Sequence, residues 1–310
     1  MRRCYGYRVP VTAPLPDPAE DANDAVALDA AIGEIDWTVP VVGSVRSTFT
    51  APSGPLAVVS FGDPAHPRVL LVPGATGSKE DFVLMLPLLA AAGYFVQSYD
   101  LAGNYESAQA GPAEGGRYDY PLFVADLVAV LESGGPAHLL GYSFAGIVAQ
   151  IVAAERPELV RSLTLLTTPP DSGNSYRHVK WIGWLSRFLT ARQGAGLMIW
   201  GIRTNKNKVG PSRLAFVRAR FALTRRSCVD DIVRLMKRTP DVGQAVRDAG
   251  IPTLVATSEH DLWPVARYAL LAERLGARLA VYRTGHSPCE TTPHQLVRDM
   301  LQLFRDADAR

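Results

Sequence analysis

Cysteine is scarce in this 310-residue chain: Cys4, Cys228 and Cys289 lie far apart, and no Cys-x-x-Cys pair occurs. That excludes a cysteine zinc site, a dithiol redox centre and a disulfide-framed fold, and reduced thiols in a cytoplasm are the expectation. Long apolar runs are missing too. The longest uncharged one, Phe82 to Val96, is interrupted by Pro87 and Gly93 and is too short to cross a bilayer. The first residues, Met-Arg-Arg-Cys-Tyr-Gly-Tyr-Arg, and the proline-rich stretch after them contain no continuous apolar region of signal-peptide type, so export is not expected. No Gly-x-Gly-x-x-Gly follows the first buried strand, which argues against a dinucleotide cofactor, and no metal-ligand cluster or internal repeat is visible. No cofactor is expected.

Net charge is small, +2, and gives no reason to expect nucleic acid. Its distribution is uneven. Between Pro170 and Gly250 sixteen Lys and Arg face five Asp and Glu, an excess of eleven, so the rest of the chain carries −9. With 47% hydrophobic and 20% charged residues the composition is that of a packed globular domain.

From Val45 onward, short strand-like runs alternate with helix-length amphipathic runs, the pattern of a mostly parallel sheet covered on both faces. Val45–Thr50 and Leu56–Phe61 read as an edge hairpin. Strands are expected at Arg68–Val72, Tyr94–Tyr99, Ala137–Tyr142, Arg161–Thr167, Ile251–Ala256 and Arg278–Arg283. Helices are expected over Lys79–Ala92, about Tyr120–Glu132, from Phe144 on, and over Val265–Leu275 and Gln295–Arg305. The alternation stops for about eighty residues, too long for a structureless loop in a compact domain. The expected organisation is a poorly patterned extension over residues 1–44, an α/β core over 45–169 and 251–310, and an inserted helical cap over 170–250.

Gly141-Tyr142-Ser143-Phe144-Ala145-Gly146 sits between an expected strand and an expected helix, the context that gives Gly-x-Ser-x-Gly patterns their meaning. A serine hydroxyl is a weak nucleophile that needs a base within hydrogen-bond reach and a third group to fix the base's tautomer. Asp261 and His286 each follow a strand end, where open α/β sheets place their sites, and they complete the chain order Ser, acid, His. The other five histidines lack this placement, whereas Asp171, after the strand preceding the insertion, is a rival for the acid.

On these residues the chain resembles the α/β-hydrolase superfamily, from about Val45 to the C-terminus apart from the insertion. Pro73-Gly74-Ala75 falls where that family usually has His-Gly-x, Asp100-Leu101-Ala102-Gly103 where it often has Asp-x-x-Gly, and Gly285-His286 where it has Gly-His. The resemblance implies a serine hydrolase with Ser143, Asp261 and His286 as triad and the backbone N–H groups of Ala75 and Phe144 as oxyanion hole. Pro73, Ala145 and Tyr105 depart from the usual family residues.

Within the insertion, Trp181, Trp184, Leu185 and Phe188 recur at i, i+3, i+4, i+7, and Leu214, Val217 and Phe221 at i, i+3, i+7, so two amphipathic helices are expected. Trp181, Trp184, Phe188 and Trp200 are candidates to line an apolar acyl pocket, with Arg213, Arg218, Arg220, Arg225 and Arg226 on the outer surface. Such a basic face could touch anionic lipid, although a solvated surface is the default. The expected partner is a small apolar ester, thioester or lactone. An acyltransferase or C–C bond hydrolase on the same residues, or a non-catalytic receptor for a small ligand, stays open. Oligomeric state is not legible.

Overall fold

The computed structural model describes residues 21–179, 190, 192, 193, 196 and 209–309. Its centre is an eight-stranded sheet of β1 (Val45–Ala51), β2 (Gly54–Phe61), β3 (Arg68–Val72), β4 (Phe95–Tyr99), β5 (Ala137–Tyr142), β6 (Val160–Leu166), β7 (Thr253–Ser258) and β8 (Arg278–Tyr282), in spatial order β1-β2-β4-β3-β5-β6-β7-β8. β2 runs antiparallel to both β1 and β4, and every pairing from β4 to β8 is parallel. β3 and β5 are buried at every position, which is why they read as continuous apolar runs rather than alternating ones.

Register aligns the carboxyl ends: Val72 pairs with Gly141, Gly141 with Leu165, and Leu165 with Val255. The loops after these strands therefore leave from one edge of the sheet, where Ser143, Asp261 and His286 gather. Past the strands, Glu259 N–H donates to Tyr282 O (2.9 Å) and His260 N–H to Thr284 O (3.1 Å), which keeps the loops bearing Asp261 and His286 side by side.

Two apolar layers cover the sheet. One is built on α3 (Tyr120–Gly134), α4 (Phe144–Glu155) and, beyond the insertion, the helix Val265–Leu275; the other is built on α2 (Met85–Ala91) and the C-terminal helix Pro293–Asp308. The single helix expected over Lys79–Ala92 is a 3₁₀ turn, Lys79–Phe82, followed by α2. Lys79, Glu80 and Asp81 of the 3₁₀ turn are buried in ion pairs, and Pro87, without an N–H, sits within the first turn of α2 where none is needed.

Of the extension before Val45, residues 21–44 are described, and they are more ordered than their pattern suggests. They hold α1 (Asp21–Ala30), whose Asp29 carboxylate accepts from the N–H groups of His294 (2.8 Å) and Gln295 (3.2 Å) and from both their side chains. Asp29 thus caps the C-terminal helix from another part of the chain, a contact 265 residues distant that local pattern cannot reveal. Burial raises its pKa, but the hydrogen bonds from His294 and Gln295 outweigh that and hold it below the usual range.

Between β6 and β7 the described helices are α5 (Pro211–Leu223), α6 (Arg226–Met236) and α7 (Gly243–Asp248); α8 (Val265–Leu275), α9 (Pro288–Thr291) and α10 (Pro293–Asp308) complete the chain. The expected outward placement of Arg213 and Arg220 is wrong. Both are buried, at 7% and 5% exposure, and with Phe216 they form the inward face of α5, while Leu214, Val217 and Phe221 are only half-buried. Their guanidinium groups meet buried carboxylates, which overrides the apolar periodicity. Arg218, Arg225 and Arg226 are exposed as expected. Trp181, Trp184, Phe188 and Trp200 lie outside the described residues. No helix among the described residues is long and apolar enough to cross a membrane.

Candidate active site

Ser143 stands between the last residue of β5 and the first of α4 with φ 52° and ψ −118°, a backbone conformation costly for any residue with a side chain. The surroundings enforce it. Ser143 N–H donates to Leu166 O (2.8 Å), and Gly146 N–H to Ser143 O (3.0 Å). A Cβ on Gly141 would lie 2.6 Å from Gly146 Cα, so the first glycine of the motif is needed for the turn to close. Ala145, fully buried, is accommodated; the second position that tolerates no side chain is Gly146, where a Cβ would lie 1.8 Å from Thr168 Oγ1. That requirement leaves no mark in the sequence, because Thr168 comes from beyond the end of another strand.

Gly146→Ala is therefore expected to cost about 1–3 kcal/mol of stability by overpacking and to lower turnover, since α4 must move off β6 and carries Ser143 with it. Thermal melts and kinetics check this; a wild-type melting temperature would show that Thr168 yields freely.

The three side chains singled out from the sequence meet at the carboxyl edge. His286 Nε2 lies 3.3 Å from Ser143 Oγ, and His286 Nδ1 lies 2.5 Å from Asp261 Oδ1. Asp261, 2% exposed, is further held by Leu262 N–H on Oδ1 (2.7 Å), and on Oδ2 by a short hydrogen bond from the Tyr268 hydroxyl and a longer one from Thr257 Oγ1 (3.5 Å). Burial pushes the Tyr268 phenol well above its ordinary range, and the Asp261 charge adds to this, so the phenol keeps its proton to donate. Tyr268, on the buried face of α8, carried no functional signal in the sequence.

The His286 loop is fixed independently of Asp261. Thr167 Oγ1 donates to His286 O (3.1 Å), the Tyr142 and Ser287 hydroxyls are 2.9 Å apart, and the rings of Tyr142 and Trp263 flank the imidazole at 5.6 and 6.2 Å between centroids.

Asp171 is engaged elsewhere. Its carboxylate is 2.8 Å from His178 Nδ1 and forms a close ion pair with Arg267; burial would raise its pKa, but Arg267 and His178 hold it below the usual range.

The loop after β3 passes beside the serine: a Cβ on Gly74 would lie 3.2 Å from Ser143 Cβ. Ala75 is half-buried next to it, and the turn is closed by Gly77 N–H on Gly74 O (3.0 Å). Phe144 N–H belongs to the first residue of α4 and so to the donors a helix leaves unpaired at its N-terminus. Asp100, fully buried, anchors the same loop by accepting from Lys79 N–H (2.8 Å) and Lys79 Nζ (3.0 Å). Burial raises its pKa to about 7 against the pull of Lys79. Tyr105, with φ 42°, lies under Lys79 Nζ and packs edge-on against Phe216 of α5.

The fold and these motifs define a class. Residues 69–299 match the model of the alpha/beta hydrolase family, and the chain belongs to that family. Among curated proteins it is similar to the rhodomycin D methylesterase DauP of Streptomyces sp. (strain C5), 32% identical over 119 residues that cover 34% of this chain and 36% of that protein. It is also similar to a human serine hydrolase-like protein, 31% identical over 120 residues, 38% of this chain and 58% of that one. The chain thus spans between about a third and three fifths of the length of these relatives. Among solved structures it resembles a thermophilic esterase from Thermogutta terrifontis (TM-score 0.66, 18% identity, 85% of this chain and 99% of that one). An epoxide hydrolase from Vigna radiata is as similar (TM-score 0.69, 14% identity, 86% and 100%). At such identities the likeness is one of fold, and it spans more than one chemistry.

Proposed function

We propose that the chain is a serine hydrolase that cleaves a carboxylic ester, thioester or lactone of an apolar acyl group through an acyl-enzyme on Ser143. The observation that carries this reading is the unbroken chain of contacts from Asp261 through His286 to Ser143 Oγ at 2.5 and 3.3 Å. Asp261 fixes the tautomer with the proton on Nδ1, leaving Nε2 free to accept the serine proton as Oγ attacks the acyl carbon. The tetrahedral oxyanion is received by the N–H groups of Ala75 and Phe144, each such donor being worth about 3–4 kcal/mol in the transition state. Imidazolium returns the proton to the leaving alcohol or thiol. A water, deprotonated by the same Nε2, then attacks the acyl-enzyme and releases the acid. The methylesterase and serine hydrolase-like relatives support this chemistry. Cys228 and Cys289 are buried free thiols, which suits a reducing compartment such as the cytoplasm.

The insertion, residues 170–250, is proposed as the cap that sets acyl preference, with Trp181, Trp184 and Phe188 as pocket residues. An apolar pocket discriminates by about 1–3 kcal/mol per methylene, so a graded dependence on chain length is expected. The test is a panel of p-nitrophenyl esters of increasing chain length, with lactones and acyl thioesters, run with and without added alcohol or amine acceptors. Hydrolysis that acceptors do not accelerate is the expected result. Turnover only with an acceptor would make the chain an acyltransferase, and tight ligand binding without turnover would make it a receptor.

A further inference from the structure

Arg213 projects from α5 of the insertion into the core, and its partners lie on the short helical turns that end the two loops flanking Ser143. Its Nη2 donates to Asp81 Oδ1 at 2.7 Å and makes a still shorter ion pair with Glu290 Oε1. Asp81 lies in the 3₁₀ turn that follows the Ala75 loop and reaches back onto it: its Oδ2 accepts from Ser78 N–H (3.2 Å) and lies against Gly77, where a Cβ would come within 2.4 Å of it. Glu290 lies in α9, the short helix that closes the His286 loop, and its N–H donates to Ser287 O (3.0 Å). One guanidinium therefore ties the Ala75 loop to the His286 loop, and it belongs to neither.

The rest of the environment holds that guanidinium in place. The Trp37 ring lies 4.1 Å from it, and Arg220, two turns further along α5, donates to Asp81 Oδ1 (2.6 Å) and Ser78 Oγ (3.2 Å). Burial would raise the pKa of Asp81, but Arg220 and Arg213 hold it below the ordinary range. Apolar side chains would seat α5 as firmly as ions taken out of water. What the ions add is direction: charge-assisted hydrogen bonds fix the angle and distance between the loops.

We propose that Arg213 is a positioning residue, clamping the Ala75 loop and the His286 loop in register, so that the geometry around Ser143 is complete only while α5 of the insertion is seated. This rests on the hydrolase reading above. It gives the insertion a role in the chemical step as well as in acyl preference. A shift of about 1 Å in a reacting group costs about a hundredfold in rate, and that is the loss expected when the clamp is opened.

The test uses p-nitrophenyl acetate, whose acyl group is too short to need an apolar pocket, and compares wild type with Arg213→Met, Glu290→Gln and the exposed control Arg218→Met. The expected result is kcat lower by about a hundredfold in Arg213→Met and by about tenfold in Glu290→Gln. KM should stay within about twofold, the rate of fluorophosphonate labelling of Ser143 should fall in parallel with kcat, and Arg218→Met should match wild type. A folded Arg213→Met with wild-type kcat, or one that changes only KM or only long-chain esters, overturns the proposal. Should Arg213→Met fail to fold, the near-isosteric Glu290→Gln decides by the same split, an unchanged kcat counting against the clamp. Absence of turnover and labelling in the wild type would instead overturn the hydrolase reading.

Discussion

Ser143→Ala is expected to lower ester turnover by about a millionfold, the scale seen when the nucleophile of a serine hydrolase site is removed, and to abolish labelling by a fluorophosphonate. Oγ is the atom 3.3 Å from the imidazole, so on the proposed mechanism its loss removes the acyl-enzyme route entirely and leaves whatever acceleration binding and the backbone donors supply. The fold should survive. Alanine keeps the Cβ that the φ of 52° already accommodates, and Ser143 N–H still reaches Leu166 O. Mass spectrometry of the labelled wild type should find one adduct, on the peptide containing Ser143. An adduct on another serine, or turnover that persists in the variant, would sink the assignment. A loss of activity accompanied by unfolding would point to the turn rather than the hydroxyl, and circular dichroism separates the two.

Much of this arrangement was readable without coordinates because it follows from local rules. The buried strands announce themselves as apolar runs, and Ala137–Tyr142 and Val265–Leu275 have the boundaries expected of them. That Ser143, Asp261 and His286 meet is legible because each follows a strand end and the register brings those ends to one edge. What escaped depends on partners remote in sequence. Gly146 is constrained by Thr168 across a strand boundary, Asp29 caps a helix at the other end of the chain, and Tyr268 reaches Asp261 from a helix face that looks merely apolar. The arginines of α5 misled for the same reason. Periodicity assigns a charged residue to solvent by default, and only knowledge that Asp81 and Glu290 lie opposite turns Arg213 and Arg220 inward. Pro73, in place of a histidine, leaves the turn intact because that turn is closed by Gly74 and Gly77.

Asp261→Asn is expected to lower kcat by about ten-thousandfold with binding preserved, the effect known for loss of the orienting acid in the serine-protease template. Asp261 Oδ1 contacts His286 Nδ1, and on the proposed mechanism its charge opposes the cost of forming imidazolium as Ser143 gives up its proton. Asparagine fails on both counts. It carries no charge, and, as in the serine-protease template, an amide can present its NH2 to Nδ1, here at the cost of the bond that Oδ1 accepts from Leu262 N–H. That favours the tautomer with the proton on Nε2, which cannot accept from serine. Asp171→Asn is the comparison. Its carboxylate serves Arg267 and His178, so its loss loosens the start of the insertion and should cost stability, with kcat changed by no more than about tenfold, as for a group that acts on geometry at a distance. Steady-state kinetics on one short ester, with a thermal melt of each variant, decides between the two acids. A severe loss of kcat confined to Asp171→Asn would transfer the role to Asp171, and near-wild-type kcat in both would mean that His286 works without an orienting carboxylate.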